Sequence, residues 1–178
     1  MFAIVLAALD RSGSVLPILC AMAVHELAHI VMMLACGGQV RRLTLRFADL
    51  QIAASGLGYR QELLSALAGP LVNLICGAAF CMQRPSFAAY SLMLGIYNLL
   101  PVWPLDGGRM IRCALLARLP ITQAEHISEI VSFAACAVLL LIGVFLTFFR
   151  KSGLWPLGTA AYLTVRLLML ARRTDTVQ

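Results

Sequence analysis

Residues 14–36 read SVLPILCAMAVHELAHIVMMLAC. The run is long enough to cross a bilayer as a helix, which needs roughly 20 predominantly apolar residues. Within it lie His25, Glu26 and His29. Residues four apart on a helix sit one turn above each other on the same face. Both imidazoles can therefore reach one zinc ion while Glu26 points towards a water held there, the geometry of a zinc hydrolase. In the alternative reading, the three are polar links between transmembrane helices, each satisfied by a neighbour. Three ionisable residues in five positions are costly at membrane depth, and such residues mark functional sites by default.

Composition agrees with a membrane setting. Hydrophobic residues make up 61% of the chain and charged residues 12%, against about 25% charged in soluble domains. This predicts an all-α polytopic membrane protein, with residues 1–178 forming one compact helical domain and no polar stretch long enough for a separate soluble one. The formal net charge is +6, but the basic residues are scattered in short segments between apolar runs, without an aromatic-interleaved basic face. Nucleic acid is therefore not an expected partner. Cysteines 20, 36, 76, 81, 113 and 136 form no C-x-x-C pair and lie mostly in apolar segments. They read as small packing residues rather than as disulfides or a second metal site.

Outward from the histidine helix, Met1 to Leu9 is apolar but too short to span. Residues 1–13 are expected to be a truncated first helix or an interfacial segment, retained rather than cleaved because the start carries no positive charge. On the other side, Gly37-Gly38 ends the helix, and residues 39–60 include the alternating stretch Leu43-Thr44-Leu45-Arg46-Phe47. A short strand-like or re-entrant segment is expected there, either with an edge that holds an extended peptide or as an interfacial loop.

A further span from Glu62 to Cys81 contains Ala68-Gly69-Pro70-Leu71-Val72-Asn73. Gly69 and Pro70 permit close approach and local unwinding, and Asn73 can hydrogen-bond across helices. The next span, Phe87 to Leu100, leads into Asn98-Leu99-Leu100-Pro101-Val102-Trp103-Pro104-Leu105-Asp106-Gly107-Gly108. Its prolines and glycines are expected to break the helix, and irregular backbone at membrane depth belongs where it is buried or lines a wet cavity. Asp106 is either a third zinc ligand, leaving the fourth position open for water, or the cap of a helix starting near Gly108.

After a basic helix from Arg109 to Arg118, residues Thr122 to Ser128 are expected to form a polar turn in which His126 is solvated and outside the site. Two packing spans follow, Ile130 to Phe149 and Leu154 to Ala171, giving five to six transmembrane helices in all. Nine basic residues (Arg41, Arg42, Arg46, Arg60, Arg109, Arg112, Arg118, Arg172, Arg173) fall on one side. Four (Arg11, Arg84, Arg150, Lys151) fall on the other. The positive-inside rule places the nine in the cytoplasm, with the site opening towards that side.

The three motifs His25-Glu-Leu-Ala-His29, Ala68-Gly-Pro-Leu-Val-Asn73 and Asn98 to Gly108, in that order, resemble the site-2 protease (M50) family of intramembrane zinc metalloproteases. The likeness is strongest to the branch of the stage IV sporulation protein FB. The resemblance implies one zinc held by His25, His29 and Asp106, with Glu26 as general base. It implies that Asn98, Gly69, Pro70 and Asn73 help position an unwound substrate. The implied activity is that of a zinc metalloendopeptidase of the EC 3.4.24 type, acting in regulated intramembrane proteolysis in a bacterial cell membrane. The implied substrate is a membrane-associated protein, in the sporulation branch a sigma-factor precursor, and membrane regulatory proteins would be further partners. The CBS domain that often follows this core is not expected here, nor is a PDZ domain. The rival readings are a zinc transporter, which would be expected to show an internal repeat or a polar path across the membrane, and a catalytically inactive membrane scaffold.

Overall fold

The computed structural model describes residues 13–46, 49–55, 57–149 and 155–175. The expected N-terminal segment thus lies outside the described residues, apart from Gly13. The elements are α1 (Val15–Ala35), β1 (Gln39–Arg46), β2 (Asp49–Ser55), α2 (Tyr59–Ala79), α3 (Pro85–Asn98), α4 (Asp106–Leu116), α5 (Ile121–Phe148) and α6 (Trp155–Asp175). Contacts gather the chain into two compact units that divide after Leu99.

In the first unit, α1 packs against α2 and α3, and α2 against α3. The buried residues of α1 are Ala21, His25, His29 and Met33. They recur every fourth position, so a single stripe faces inward and carries both histidines. Leu16, Leu27, Val31 and Leu34 on the same helix are each more than half exposed. Large apolar side chains outside and small or polar ones inside reverse the soluble pattern, and suit a helix whose outer face meets lipid. Small residues also let α2 and α3 approach. A Cβ at Gly95 of α3 would lie 3.0 Å from the Pro70 carbonyl oxygen of α2, so the backbones nearly touch there.

The end of α1 follows from Gly37-Gly38. Gly37 has φ +81°, its N–H donates to the Leu34 carbonyl at 3.0 Å, and the Gly38 N–H donates to the Met33 carbonyl at 3.0 Å. This is a Schellman termination, in which glycine supplies the left-handed backbone. The chain then enters an antiparallel hairpin in which Arg46 pairs with Asp49 and Gln39 with Ser55, with an irregularity between Val40 and Arg42. The strand-like segment expected after the histidine helix is therefore a two-stranded sheet. Helix α2 runs unbroken through Gly69 and Pro70, so no unwinding occurs there.

In the second unit, α4 packs on α5 and α5 on α6. The irregular segment is confined to residues 99–105, because Gly107 and Gly108 already belong to the first turn of α4. Its shape is held from several directions. The Trp103 N–H donates to Ser132 Oγ of α5 at 3.1 Å, Ser132 Oγ donates in turn to the Ser128 carbonyl at 2.9 Å, and the Leu105 N–H donates to the Val102 carbonyl at 2.8 Å. A Cβ on Gly108 would lie 2.5 Å from Trp103 N and 2.6 Å from the Val102 carbonyl carbon, well inside the roughly 3.5–4.0 Å of a normal contact. The polar turn expected over 122–128 is corrected: Pro120 caps a helix that starts at Ile121. Ala124, Ser128, Ser132 and Cys136 form its buried face, and this four-residue period is helical although Glu125, His126 and Glu129 between them are polar and exposed.

Among the described residues three helices, α1, α2 and α5, are long and apolar enough to cross a membrane. The expected count of five to six is not reproduced by length and composition alone, since α3 has only 14 residues.

Gly108→Ala is expected to lower the melting temperature of the detergent-solubilised protein, at a cost of about 1–3 kcal/mol from overpacking against main chain. Gly158→Ala is the control, since nothing lies within 4 Å of a Cβ there. It should leave the melt unchanged or raise it slightly.

Candidate metal centre

The centre is built first by α1 and α2. His25 and His29 are 4% and 6% exposed, and their Nε2 atoms lie 3.1 Å apart. Two nitrogens bound to one tetrahedral zinc at roughly 2.0–2.1 Å would be about 3.3 Å apart. The pair is therefore already spaced to share an ion. His29 Nδ1 lies 2.6 Å from the Ser65 carbonyl oxygen of α2. A carbonyl only accepts, so Nδ1 carries the proton and the lone pair of Nε2 is left on the side of His25. Ser65 Oγ donates back to the His29 carbonyl at 3.2 Å, which ties the two helices together at this level.

Gly69 makes room for the rings. A Cβ there would collide with His29 Nε2 and stand 2.9 Å from His25 Cε1. One turn further along α2, the Asn73 amide nitrogen lies 3.2 Å from His25 Nδ1. Gly69, Pro70 and Asn73, expected to help position substrate, are all buried on α2, and Gly69 and Asn73 lie against the histidine pair. Ser65 was missed by sequence reasoning: its contribution to His29 is a main-chain carbonyl, which every residue type offers.

Glu26 follows His25 on α1 and is partly buried. Asn98 is the last residue of α3, and its amide nitrogen donates to the Leu94 carbonyl at 3.0 Å. Asp106, in the second unit, is the first residue of α4, with Leu105 in the capping position. Its carboxylate is buried and pairs with Arg109 at 3.4 Å, and the positive end of the helix dipole also favours the charge. His25 and His29 of the first unit and Asp106 of the second are, each within its own unit, buried candidate metal ligands among the described residues.

Peptidase family M50 matches residues 84–142. The match includes Asn98 and Asp106 and begins after the histidine pair. The chain is 28% identical to stage IV sporulation protein FB of Bacillus subtilis over 138 residues, covering 70% of this chain and 47% of that protein. It is 26% identical to a zinc metalloprotease of Methanocaldococcus jannaschii over 133 residues, covering 67% of this chain and 39% of the relative. The chain is thus similar to members of the M50 (site-2 protease) family. It spans less than half the length of these two relatives. Its fold is shared with the solved site-2 protease from Methanocaldococcus jannaschii, at a TM-score of 0.67 and 19% identity, covering 94% of this chain and 83% of that one. Together with three long apolar helices, this makes the chain a membrane protein. Zinc is the metal in the name of the archaeal relative, and two imidazoles with a carboxylate are a donor set that suits it.

Gly69→Val is expected to push the imidazoles out of position. Zinc affinity, measured by chelator competition, should fall by at least the roughly tenfold typical of disturbing a ligand's support. Leu71→Val on the exposed side of α2 should retain full affinity.

Proposed function

We propose that this chain is a zinc-dependent intramembrane endopeptidase, with residues 1–178 acting as one metalloprotease domain. The observation that carries the reading is the buried pair His25 and His29, with facing Nε2 atoms 3.1 Å apart and the His29 proton fixed on Nδ1 by Ser65. Such a pair at membrane depth is costly unless it holds something. Asp106, a buried carboxylate at a helix start, supplies the third ligand in this reading. Zinc, when bound, contributes Lewis acidity towards water and towards a peptide carbonyl.

The chain's own residues do the rest. Glu26 accepts a proton from water as the water oxygen attacks the scissile carbonyl carbon. It then delivers that proton to the amine as the C–N bond breaks, so one group serves as base and then as acid. A helical peptide bond has its carbonyl hydrogen-bonded and shielded, so the substrate must be locally extended. The outer edges of the β1–β2 hairpin offer main-chain hydrogen bonds to such a segment. Asn98, placed where α3 ends, offers an amide to its backbone. Gly69 leaves room for the ligand pair, and the Gly69-Pro70 region of α2 helps position the substrate in this reading.

The substrate class in this reading is a membrane-associated protein. A sigma-factor precursor is the first to try, given the similarity to stage IV sporulation protein FB. The excess of basic residues on one side argues for a bacterial cell membrane with the site open to the cytoplasm.

The test compares peptide termini from membranes of cells expressing wild type or Glu26→Gln at equal levels, with zinc measured in the same preparations. New termini within or beside transmembrane segments are expected with wild type alone, while Glu26→Gln keeps its zinc. His25→Ala and Asp106→Ala should lose both zinc and cleavage. Zinc retained in full by both ligand variants would overturn the coordination, and zinc flux unaccompanied by cleavage would point to a transporter.

A further inference from the structure

On α2, Ser65, Gly69 and Asn73 are spaced four apart, and on α1 His25 and His29 are spaced four apart. The two stripes meet in antiparallel register: Ser65 against His29, Asn73 against His25, and Gly69 leaving space for both rings. Ser65 fixes the proton of His29. The symmetric question is what fixes the proton of His25.

Asn73 is fully buried. Its amide nitrogen donates to His25 Nδ1 at 3.2 Å, while its Oδ1 has no hydrogen-bond partner among the described residues. With Nδ1 accepting, the His25 proton belongs on Nε2, pointing at His29 Nε2 3.1 Å away. That arrangement suits a metal-free pair and blocks a metal, because a ligating nitrogen must offer its lone pair. Half a turn of the Asn73 amide about its terminal bond exchanges donor and acceptor without changing shape. Oδ1 then accepts from His25 Nδ1–H and Nε2 is free to ligate, while the amide nitrogen moves to the place where Oδ1 had no partner.

Resting on the zinc reading above, we propose that Asn73 is the positioning residue of His25, its side-chain oxygen holding the Nδ1 proton whenever zinc is bound. Asn73 does not touch the substrate in this assignment.

The experiment measures zinc affinity by chelator competition on the full chain in detergent, for wild type, Asn73→Leu and Asn73→Asp, with melting of each metal-free protein in parallel. Asn73→Leu, similar in size but without an acceptor, is expected to bind zinc about 10–100-fold more weakly even where its metal-free melt matches wild type. Asn73→Asp, which only accepts, should bind within about threefold of wild type or more tightly, as carboxylate-supported histidine ligands do. Unchanged affinity in folded Asn73→Leu overturns the assignment. If Asn73→Leu does not fold, Asn73→Asp decides alone: a loss of tenfold or more overturns it, and retention sustains it. Failure of wild type to bind zinc at all would instead overturn the zinc reading, and this inference with it.

Discussion

An imidazole buried in a lipid-facing helix has two ring nitrogens and no water to satisfy them. Much of the first unit can be understood from that requirement. His25 and His29 face inward because the other faces of α1 carry Leu16, Leu27, Val31 and Leu34. Each ring then needs a partner from α2, and the partners come at matching intervals on that helix. Such a match is possible only if the helices approach closely, so the position between the two partners must be glycine. Small buried residues on α2 and α3, such as Ala66, Gly77 and Ala88, extend the same close approach along the bundle.

The second unit presents its carboxylate by other means. Asp106 stands at the start of a helix whose first turn has two glycines, and Gly108 allows the preceding loop to fold back over that turn. The loop is fastened to α5 through Ser132, which receives a main-chain N–H and passes its own proton to Ser128. A carboxylate carried on a loop without such ties would sample many positions, and metal ligands must be held closely. The serines on α5 thus help to fix the start of the helix that carries Asp106.

The parts of the site legible in the sequence were those that depend on residue type at a fixed interval. The histidine pair four apart, Gly37-Gly38 as a helix end and the alternating strand residues all carry their geometry in their spacing. Asp106 has two readings in the sequence, because a carboxylate before glycines caps helices as readily as it binds metal. Ser65 was invisible because its main-chain oxygen does the work. Asn73 was visible as a polar residue in a span, but its target was not, since the register between α1 and α2 is a tertiary property. The start of α5 was misread because solvent-exposed polar residues look the same in a turn and in the first turns of a helix. Only the buried Ala124 and Ser128 reveal the period.

The shortness of α3 bears on how water reaches the buried histidine pair. Its 14 residues reach about 21 Å at 1.5 Å per residue, whereas the hydrocarbon layer is about 30 Å thick. Met93 and Ile96 are exposed on it, as suits a lipid-facing surface. The bilayer beside such a helix thins, or lets headgroups and water reach deeper than elsewhere. A locally compressed membrane shortens the path of water to the buried histidine pair without a permanent pore. Hydrophobic mismatch at one undersized helix would in this way wet an otherwise lipid-enclosed polar cluster.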